Sequence, residues 1–242
     1  MVVTRRHFNQ ALLAVPILAI GSEAEAATAD IVVTCDTTLG PPTRAAAVLY
    51  LQQVGVQVRV FPTGPGLVLP QLVHGIQNDV VFTQLNIGLE SVQSGLIAAG
   101  GLQGGWRNRL VIAAPRGAGP AAVRGRIAAS DPTPAADMDG PAIVRALNLG
   151  QTAILGVIDT DEVVFLLARG DADAGLLHMT DIHASAGLEV VQMVPDSVAQ
   201  PIDYTVAVTT LSRRPNPQAF VDYLLSPPGQ AVLEAQGIEA RP

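Results

Sequence analysis

Short apolar runs alternate with longer segments of helical spacing from residue 30 onward, and Gly or Pro marks most of the joins. The predicted strands are 30–34, 57–61, 80–83, 109–114, 126–129, 174–177, 189–194 and 204–208. The predicted helices are 43–53, 67–74, 86–98, 141–148, 161–169, 181–186, 217–225 and 229–235. Strands that alternate with helices in this way indicate an α/β protein.

Several predicted helices begin with residues that favour a helix start. Pro41 and Pro42 precede the first helix, and Pro141 begins another. Thr160 is a predicted N-cap, and two acidic residues follow it in the first turn. Neither an internal repeat nor an interdomain linker is visible in the sequence. A second lobe must therefore form by the chain crossing over and returning.

The amino terminus has the pattern of an export signal. Arg5 and Arg6 precede an apolar run at 11–20, and an Ala-Glu-Ala site ends at Ala26. Pro16 interrupts the run, which is shorter than the roughly 20 residues that cross a bilayer. The paired arginines favour a twin-arginine signal, and an ordinary secretory signal that carries two arginines is the alternative. We therefore expect residues 1–26 to be removed and the protein to act in the periplasm.

Charge and cysteine content narrow the possible partners. The formal net charge is -7, and removing residues 1–26 leaves it unchanged because two charges of each sign are lost. All 14 cationic residues are arginine, and they form no basic tract. This composition argues against nucleic acid or an anionic membrane surface as a partner. Cys35 is the only cysteine, which excludes an internal disulfide, and its place in an apolar run favours a buried thiol over a reactive or metal-binding one.

A series of short motifs in a fixed order resembles the periplasmic molybdate-binding protein family, a branch of the type II solute-binding proteins of ABC importers. The motifs are VVTCDTTL at 32–39, GVQV at 55–58, NDVVF at 78–82, RNRLVIAAP at 107–115, GRIA at 125–128, GDADAG at 170–175, IDYTVAV at 202–208 and AFVDYL at 219–224. The likeness spans nearly all of the chain after residue 26.

The resemblance implies a two-lobed type II periplasmic binding protein fold, with a ligand cleft between lobes joined by two crossing strands. It places 27–108 in lobe 1, 109–207 in lobe 2 and 208–242 back in lobe 1, with 109–114 and 204–208 as the crossings. It further implies a monomer that closes around a small ligand without a cofactor and delivers the ligand to a membrane permease.

Hydroxyls and glycine occur at predicted strand-to-helix turns, where unpaired backbone N–H groups can hold an anion. These residues are Thr37, Thr38, Thr63, Gly64 and Thr160. Each threonine taken alone is better explained as a helix cap or a turn former. Their agreement with the ligand-binding positions of the family that the chain resembles is what favours binding.

The resemblance carries particular roles onto particular positions. The family's first serine falls on Thr38, and the second falls on Gly64 with Thr63 beside it. One backbone donor falls within 136–140, a turn that includes Asp139, and the next falls on Thr160. The family's tyrosine falls on His178. Because neither serine nor the tyrosine is retained, two ligand classes remain open: molybdate or tungstate, and a small organic or weakly cationic solute. A sensory or accessory role that uses the same cleft is a further alternative.

His178 is either an anion donor or a buried histidine at a strand end. Asp181 with His183 and His74 raises the question of a metal, but their spacing matches no known ligand pattern. Three further carboxylates in or beside the predicted turns are expected to be solvated: Asp36, Asp137 and Asp139. The sequence contains no G-x-S-x-G, H-E-x-x-H or phosphate-loop motif, which favours a binding protein over an enzyme.

Overall fold

The computed structural model describes residues 30–132, 138–149 and 153–241. Its strands are β1 Ile31–Asp36, β2 Val58–Thr63, β3 Val80–Gln84, β4 Gln103–Asn108, β5 Leu110–Pro115, β6 Arg126–Ser130, β7 Ala153–Val157, β8 Ala174–His178, β9 Leu188–Met193, β10 Ile202–Val208 and β11 Glu239–Ala240. Its α-helices are α1 Gly40–Val54, α2 Pro65–Val73, α3 Leu85–Gln93, α4 Gly140–Ala146, α5 Thr160–Arg169, α6 Met179–Ala184, α7 Gln218–Leu225 and α8 Pro227–Ala235. Short 3-10 turns cover Thr37–Leu39 and Pro120–Arg124.

Each of the eight predicted strands and eight predicted helices is present, with ends shifted by a few residues. The sequence pattern missed β4, β7 and β11. The strand β4 contains two glycines, and Gly104 has a φ of +68°. A Cβ at Gly104 would lie 2.4 Å from the Trp106 ring, so only glycine leaves room for the Trp106 side chain at this position. Pairing with β10, rather than local propensity, makes this segment a strand.

The first sheet contains six strands in the order β11-β4-β10-β3-β1-β2. The strands β1, β2 and β3 run parallel, and Thr34 lies beside Phe61 and Val81 in the two neighbouring strands. Antiparallel pairing places Tyr204 of β10 opposite Gln84 at the end of β3. The strand β10 therefore begins at the edge where β1, β2 and β3 end.

The second sheet contains five strands in the order β7-β6-β8-β5-β9. The strand β6 runs parallel to both β7 and β8. The strand β5 is antiparallel to β8, with Leu110 opposite His178, and it is also antiparallel to β9. The carboxyl ends of β6, β7 and β8 thus share one edge with the start of β5 and the end of β9.

The chain passes between the sheets twice. It leaves the first sheet after Asn108 and enters the second at Leu110, so the first crossing is Arg109. It returns between Met193 and Ile202. This position differs from the expected crossing at 204–208, because hydrogen bonding pairs Ile202 with Asn108 and makes β10 part of the first sheet. In the structure, residues 202–207 therefore belong with lobe 1.

Each sheet has its own apolar core. Two clusters of buried side chains pack on the two faces of the first sheet, and two others pack on the second sheet. Trp106 is fully buried in lobe 1, and its ring centroid lies 5.0 Å from that of Phe82. Its Nε1 donates a hydrogen bond to Gln230 Oε1 at 2.9 Å. Each lobe therefore has its own apolar core, and the crossings join the two lobes.

Within the described residues no helix is long and apolar enough to cross a membrane. The expected export signal at 1–26 lies outside the described residues, as do Ala136 and Asp137 of the turn at 136–140.

Candidate functional site

The carboxyl edges of the two sheets face each other, because both crossings join these edges. Helices or turns that begin at these edges come from both lobes. In lobe 1 they are the 3-10 turn Thr37–Leu39 leading into α1, then α2 and α3. In lobe 2 they are α4, α5 and α6. The turn Thr37–Leu39 and α1 contact α6, so the edges meet there. Such a cleft between strand ends is the usual place for a ligand in open α/β sheets.

The centre of the lobe 1 edge is the end of β1. Thr37 is exposed and Thr38 is half-buried, and the Thr38 hydroxyl lies 3.0 Å from the Tyr204 hydroxyl. Asp36 is only 1% exposed, and its Oδ1 accepts a hydrogen bond from the Thr83 hydroxyl at 2.7 Å. The expectation that Asp36 is solvated was wrong, because it is the last residue of a central strand and not part of the turn that follows.

Thr63 and Gly64 lie at the adjacent strand end. Gly64 is the N-cap of α2, and no side chain caps this helix. Thr63 is half-buried, and its hydroxyl accepts a hydrogen bond from Gln71 Nε2 at 3.1 Å. Thr63 also lines a cavity of about 420 Å³ between β2 and α2, together with Phe61 and Ile76. All the residues that line this cavity belong to lobe 1.

His178 is the last residue of β8 and is 1% exposed. Both its backbone N–H and its Nδ1 contact Asp181 Oδ2, at 2.9 and 3.2 Å. His178 is therefore buried at a strand end, and one of its partners is the Asp181 carboxylate in the first turn of α6. His183, at the end of α6, and His74, in lobe 1, are both exposed. Within the described residues no three His, Cys, Asp or Glu side chains are grouped closely enough to hold a metal ion.

Asp139 and Thr160 lie at the starts of α4 and α5. Asp139 is exposed, and its Oδ1 caps α4 by accepting from the Ala142 N–H at 2.9 Å. In α5 the cap is Asp159, which accepts from the Glu162 N–H at 2.9 Å. The predicted N-cap at Thr160 was therefore one residue too late. An aspartate is as good a cap as threonine, so the sequence pattern could not separate the two positions.

Three contacts fix α6 and the crossings against lobe 1. Asn108 donates from Nδ2 to the Thr180 hydroxyl at 2.9 Å, and both residues are buried. Gly237 has a φ of +87°, and a Cβ there would lie 2.8 Å from His183 Cδ2. Arg109 pairs with Asp196 at 2.8 Å and with Glu239 at 3.1 Å, which links the two crossings with the strand β11. Lobe 2 is thus held to lobe 1 near His178.

Sequence reasoning missed several polar residues at the two edges. Tyr204 and Asn108 lie on strands whose place in the sheet depends on long-range pairing. Gln84 ends β3 and Ser130 ends β6. The position of Ser130 directly before an Asp-Pro pair is the only sequence signal that could have identified it. Cys35, in contrast, is fully buried as expected, and this burial raises the pKa of its thiol to about 12.

The sequence family described as bacterial extracellular solute-binding protein matches residues 31–239. The chain belongs to this family. The solute-binding protein also shares its fold with solved structures. The periplasmic molybdate-binding protein of Azotobacter vinelandii superposes with a TM-score of 0.71 at 19% identity and covers 88% of this chain and 100% of that one. A substrate binding domain from Clostridium difficile, described as that of a molybdenum ABC transporter, gives a TM-score of 0.71 at 18% identity over 88% and 99%.

A partial relative is an enzyme. Aconitate isomerase of a Pseudomonas species is 26% identical over 87 residues, which are 36% of this solute-binding protein and 33% of the enzyme. The match thus spans about a third of the enzyme's length.

Proposed function

We propose that this solute-binding protein is the periplasmic receptor of an ABC importer and holds a small anion in the cleft between its lobes. One observation carries this proposal: the three helices and the 3-10 turn that begin at the lobe 1 edge have no side-chain caps. Pro41 and Pro42 of α1 and Pro65 of α2 carry no N–H, so the backbone donors for an anionic ligand are those of the 3-10 turn, of Gly66 and of the first turn of α3, together with the positive helix ends. Closure of lobe 2 over the captured anion and delivery to a membrane permease complete the role, with the protein acting as a monomer.

The ligand-binding residues proposed for lobe 1 are Thr37, Thr38, Thr63 and Gly64, which lie at the ends of two neighbouring strands. Thr38 is oriented by its contact with Tyr204. In lobe 2 the proposed residues are Asp139, Thr160 and His178, which follow or end three neighbouring strands. A small ligand between these edges would contact both lobes at once, and this contact would favour the closed form.

Molybdate and tungstate are the first ligand candidates. They are supported by the fold shared with a protein described as molybdate-binding and by a lobe 1 edge that offers neutral donors. Neutral hydrogen bonds and helix ends can hold a tetrahedral oxyanion without a cationic side chain.

The test is a thermal shift and calorimetric titration of the mature chain with molybdate, tungstate and sulfate. Binding of molybdate or tungstate that Thr38→Val weakens by about tenfold is the expected result, because the change removes one hydrogen-bonding hydroxyl. Thr210→Val is the matched control. Thr210 follows β10 at the end away from the cleft, and its hydroxyl donates to the backbone oxygens of Gly95 and Leu96. Absence of any shift with molybdate and tungstate would contradict these two ligands.

A small organic anion is the second candidate, and the carboxylate of Asp36 favours it. A carboxylate buried at the end of β1 would repel a doubly charged oxyanion bound at the same strand end. A ligand whose charge is more widely spread would be repelled less. The partial match to a protein named aconitate isomerase is consistent with this candidate.

A further inference from the structure

The two edges of the cleft differ in how their helices begin. In lobe 1 no side chain caps α1, α2 or α3. In lobe 2 an aspartate occupies the start of every helix at the edge: Asp139 caps α4, Asp159 caps α5, and Asp181 accepts from the N–H that precedes α6. Protein carboxylates thus already take the place that an anion would occupy in lobe 2.

Three of the lobe 2 carboxylates lie close together. The pKa of Asp161 is raised, first by burial and then by the negative charges of Asp159 and Asp181. The helix α5 packs on β6 and β8, and α6 follows directly after β8, so the first turns of both helices lie at the same edge of the sheet. Glu162 adds a fourth carboxylate to the same turn of α5. The lobe 2 edge is therefore a region of negative potential.

Ser130 supplies an independent observation at the same place. It ends β6, the strand between β7 and β8, so it lies between the segments that lead to α5 and α6. It is 3% exposed, and its Oγ has no hydrogen-bond partner within the described part of the chain. Its side chain points to the same face as Ala128, which packs in the cluster that contains Val163 of α5. The hydroxyl therefore lies on the face of the sheet that α5 covers, at the edge where α5 begins.

A buried hydroxyl without a partner destabilises the folded protein, so this arrangement is explained if a ligand group bonds to it. An ion that only accepts hydrogen bonds would meet carboxylates on this side and be repelled. A group that donates hydrogen bonds would be attracted by the same carboxylates and could bond to Ser130 as well.

We infer that the ligand is a small organic anion that also carries a hydrogen-bond donor, either a hydroxyl or an ammonium group. This inference rests on the proposed function. The carboxylate end of the ligand lies at the uncapped helix starts of lobe 1. The donor end lies against Ser130 and the carboxylates Asp159, Asp161 and Asp181 of lobe 2.

Matched anions test the inference on the mature chain by calorimetry. Each set keeps the carboxylates and adds a hydroxyl, or an ammonium group that also brings one positive charge: propionate, lactate and alanine; succinate, malate and aspartate; tricarballylate and citrate. We expect at least one hydroxyl or ammonium member to bind about tenfold or more tightly than the member of its set that has no donor. The lactate and malate arms against the alanine and aspartate arms then show which donor the site takes.

Ser130→Ala should remove most of this preference, weakening the donor-bearing anion by about tenfold while leaving the affinity for its donor-free partner within about twofold. Ser94→Ala is the matched control, because Ser94 is exposed at the far end of α3. Asp161→Asn, with Asp171→Asn as its exposed control, should reduce the preference for an ammonium group over a hydroxyl.

Equal or tighter binding of the donor-free members would overturn the inference, and so would binding of molybdate and tungstate alone. Both of these results would leave the proposed receptor function intact. Failure of every small anion to bind would instead reject the receptor function itself.

Discussion

At the scale of single residues, the surroundings of a side chain decide its role more than its type does. Asp36 and Asp139 both lie in or beside predicted turns. One is buried and bonded to Thr83, and the other is exposed and caps a helix. The sequence contains no signal that separates them, because the difference arises from which strands lie beside each residue. For this reason the carboxylate pattern of the cleft could not be predicted.

The contact between Tyr204 and Thr38 should contribute to stability as well as to the cleft. Tyr204→Phe is expected to lower the free energy of unfolding by about 1 kcal/mol, because it removes a buried hydrogen bond. Tyr223→Phe is the matched control, since the buried Tyr223 hydroxyl has no hydrogen-bond partner among the described residues. Chemical denaturation of both variants measures the difference. Equal losses would show that the Thr38 contact contributes nothing.

Cys35 should be unreactive in the native protein. With the pKa of its thiol raised to about 12, its thiolate fraction at pH 8 is about 10³-fold lower than that of an ordinary cysteine. Ellman's reagent should therefore modify Cys35 only after denaturant is added. Rapid modification of the native protein would contradict the buried position.

The same thiol should lower stability at alkaline pH. Its pKa is raised on folding from 9.0 to about 12, so above pH 9 the unfolded chain loses a proton that the native one keeps. The stabilisation is full below the unfolded pKa and is lost as the pH rises through this window. Denaturation of the protein and of Cys35→Ala between pH 8 and 11 should show a steeper fall for the protein with Cys35.

At the scale of elements, the periodic pattern was sufficient to predict a helix or strand where local propensity and tertiary position agree. The helix α5 has a cap, an acidic first turn and Gly170 in a left-handed conformation at its end. The strand β4 has none of the usual strand signals and exists because β10 pairs with it. Elements that form through long-range pairing cannot be recognised from the local sequence. The exact position of the second crossing could not be predicted for the same reason.

The cap of α5 can be located by comparing two variants. Asp159→Ala should lower the free energy of unfolding by about 1 kcal/mol, because the Glu162 N–H loses its acceptor. Thr160→Ala should lower the free energy of unfolding by less than half as much, since Thr160 is the first helical residue and not the cap. Both are measured without ligand, with Asp171→Ala as an exposed control. A larger loss for Thr160→Ala would restore the cap predicted from the sequence.

At the scale of the whole molecule, the crossings determine which surfaces can form a cleft. Because both crossings join carboxyl edges, the two lobes present strand ends to each other. The order of motifs was sufficient to predict two lobes of this kind, since it depends on the entire chain. The chemistry of the cleft was less predictable, because it depends on contacts such as Asn108 with Thr180 that unite distant segments.

Arg109 should influence the arrangement of the lobes more than stability. Its two ion pairs are partly exposed, so Arg109→Gln should change the free energy of unfolding by no more than about 1 kcal/mol. Because it links both crossings, its loss should increase the radius of gyration of the ligand-free protein in small-angle X-ray scattering. Arg169→Gln, which breaks a pair with Asp171 inside lobe 2, is the control. Identical scattering for the two variants would contradict a role for Arg109 in holding the two crossings together.

The position of Trp106 has an optical consequence. It is the only tryptophan of the chain, and it lies in the core of lobe 1. Intrinsic tryptophan fluorescence therefore reports the melting of lobe 1 and not that of lobe 2. Far-ultraviolet circular dichroism reports the melting of both lobes. If the two cores melt at different temperatures, the two signals will separate, and the gap between them will report how strongly one lobe supports the other.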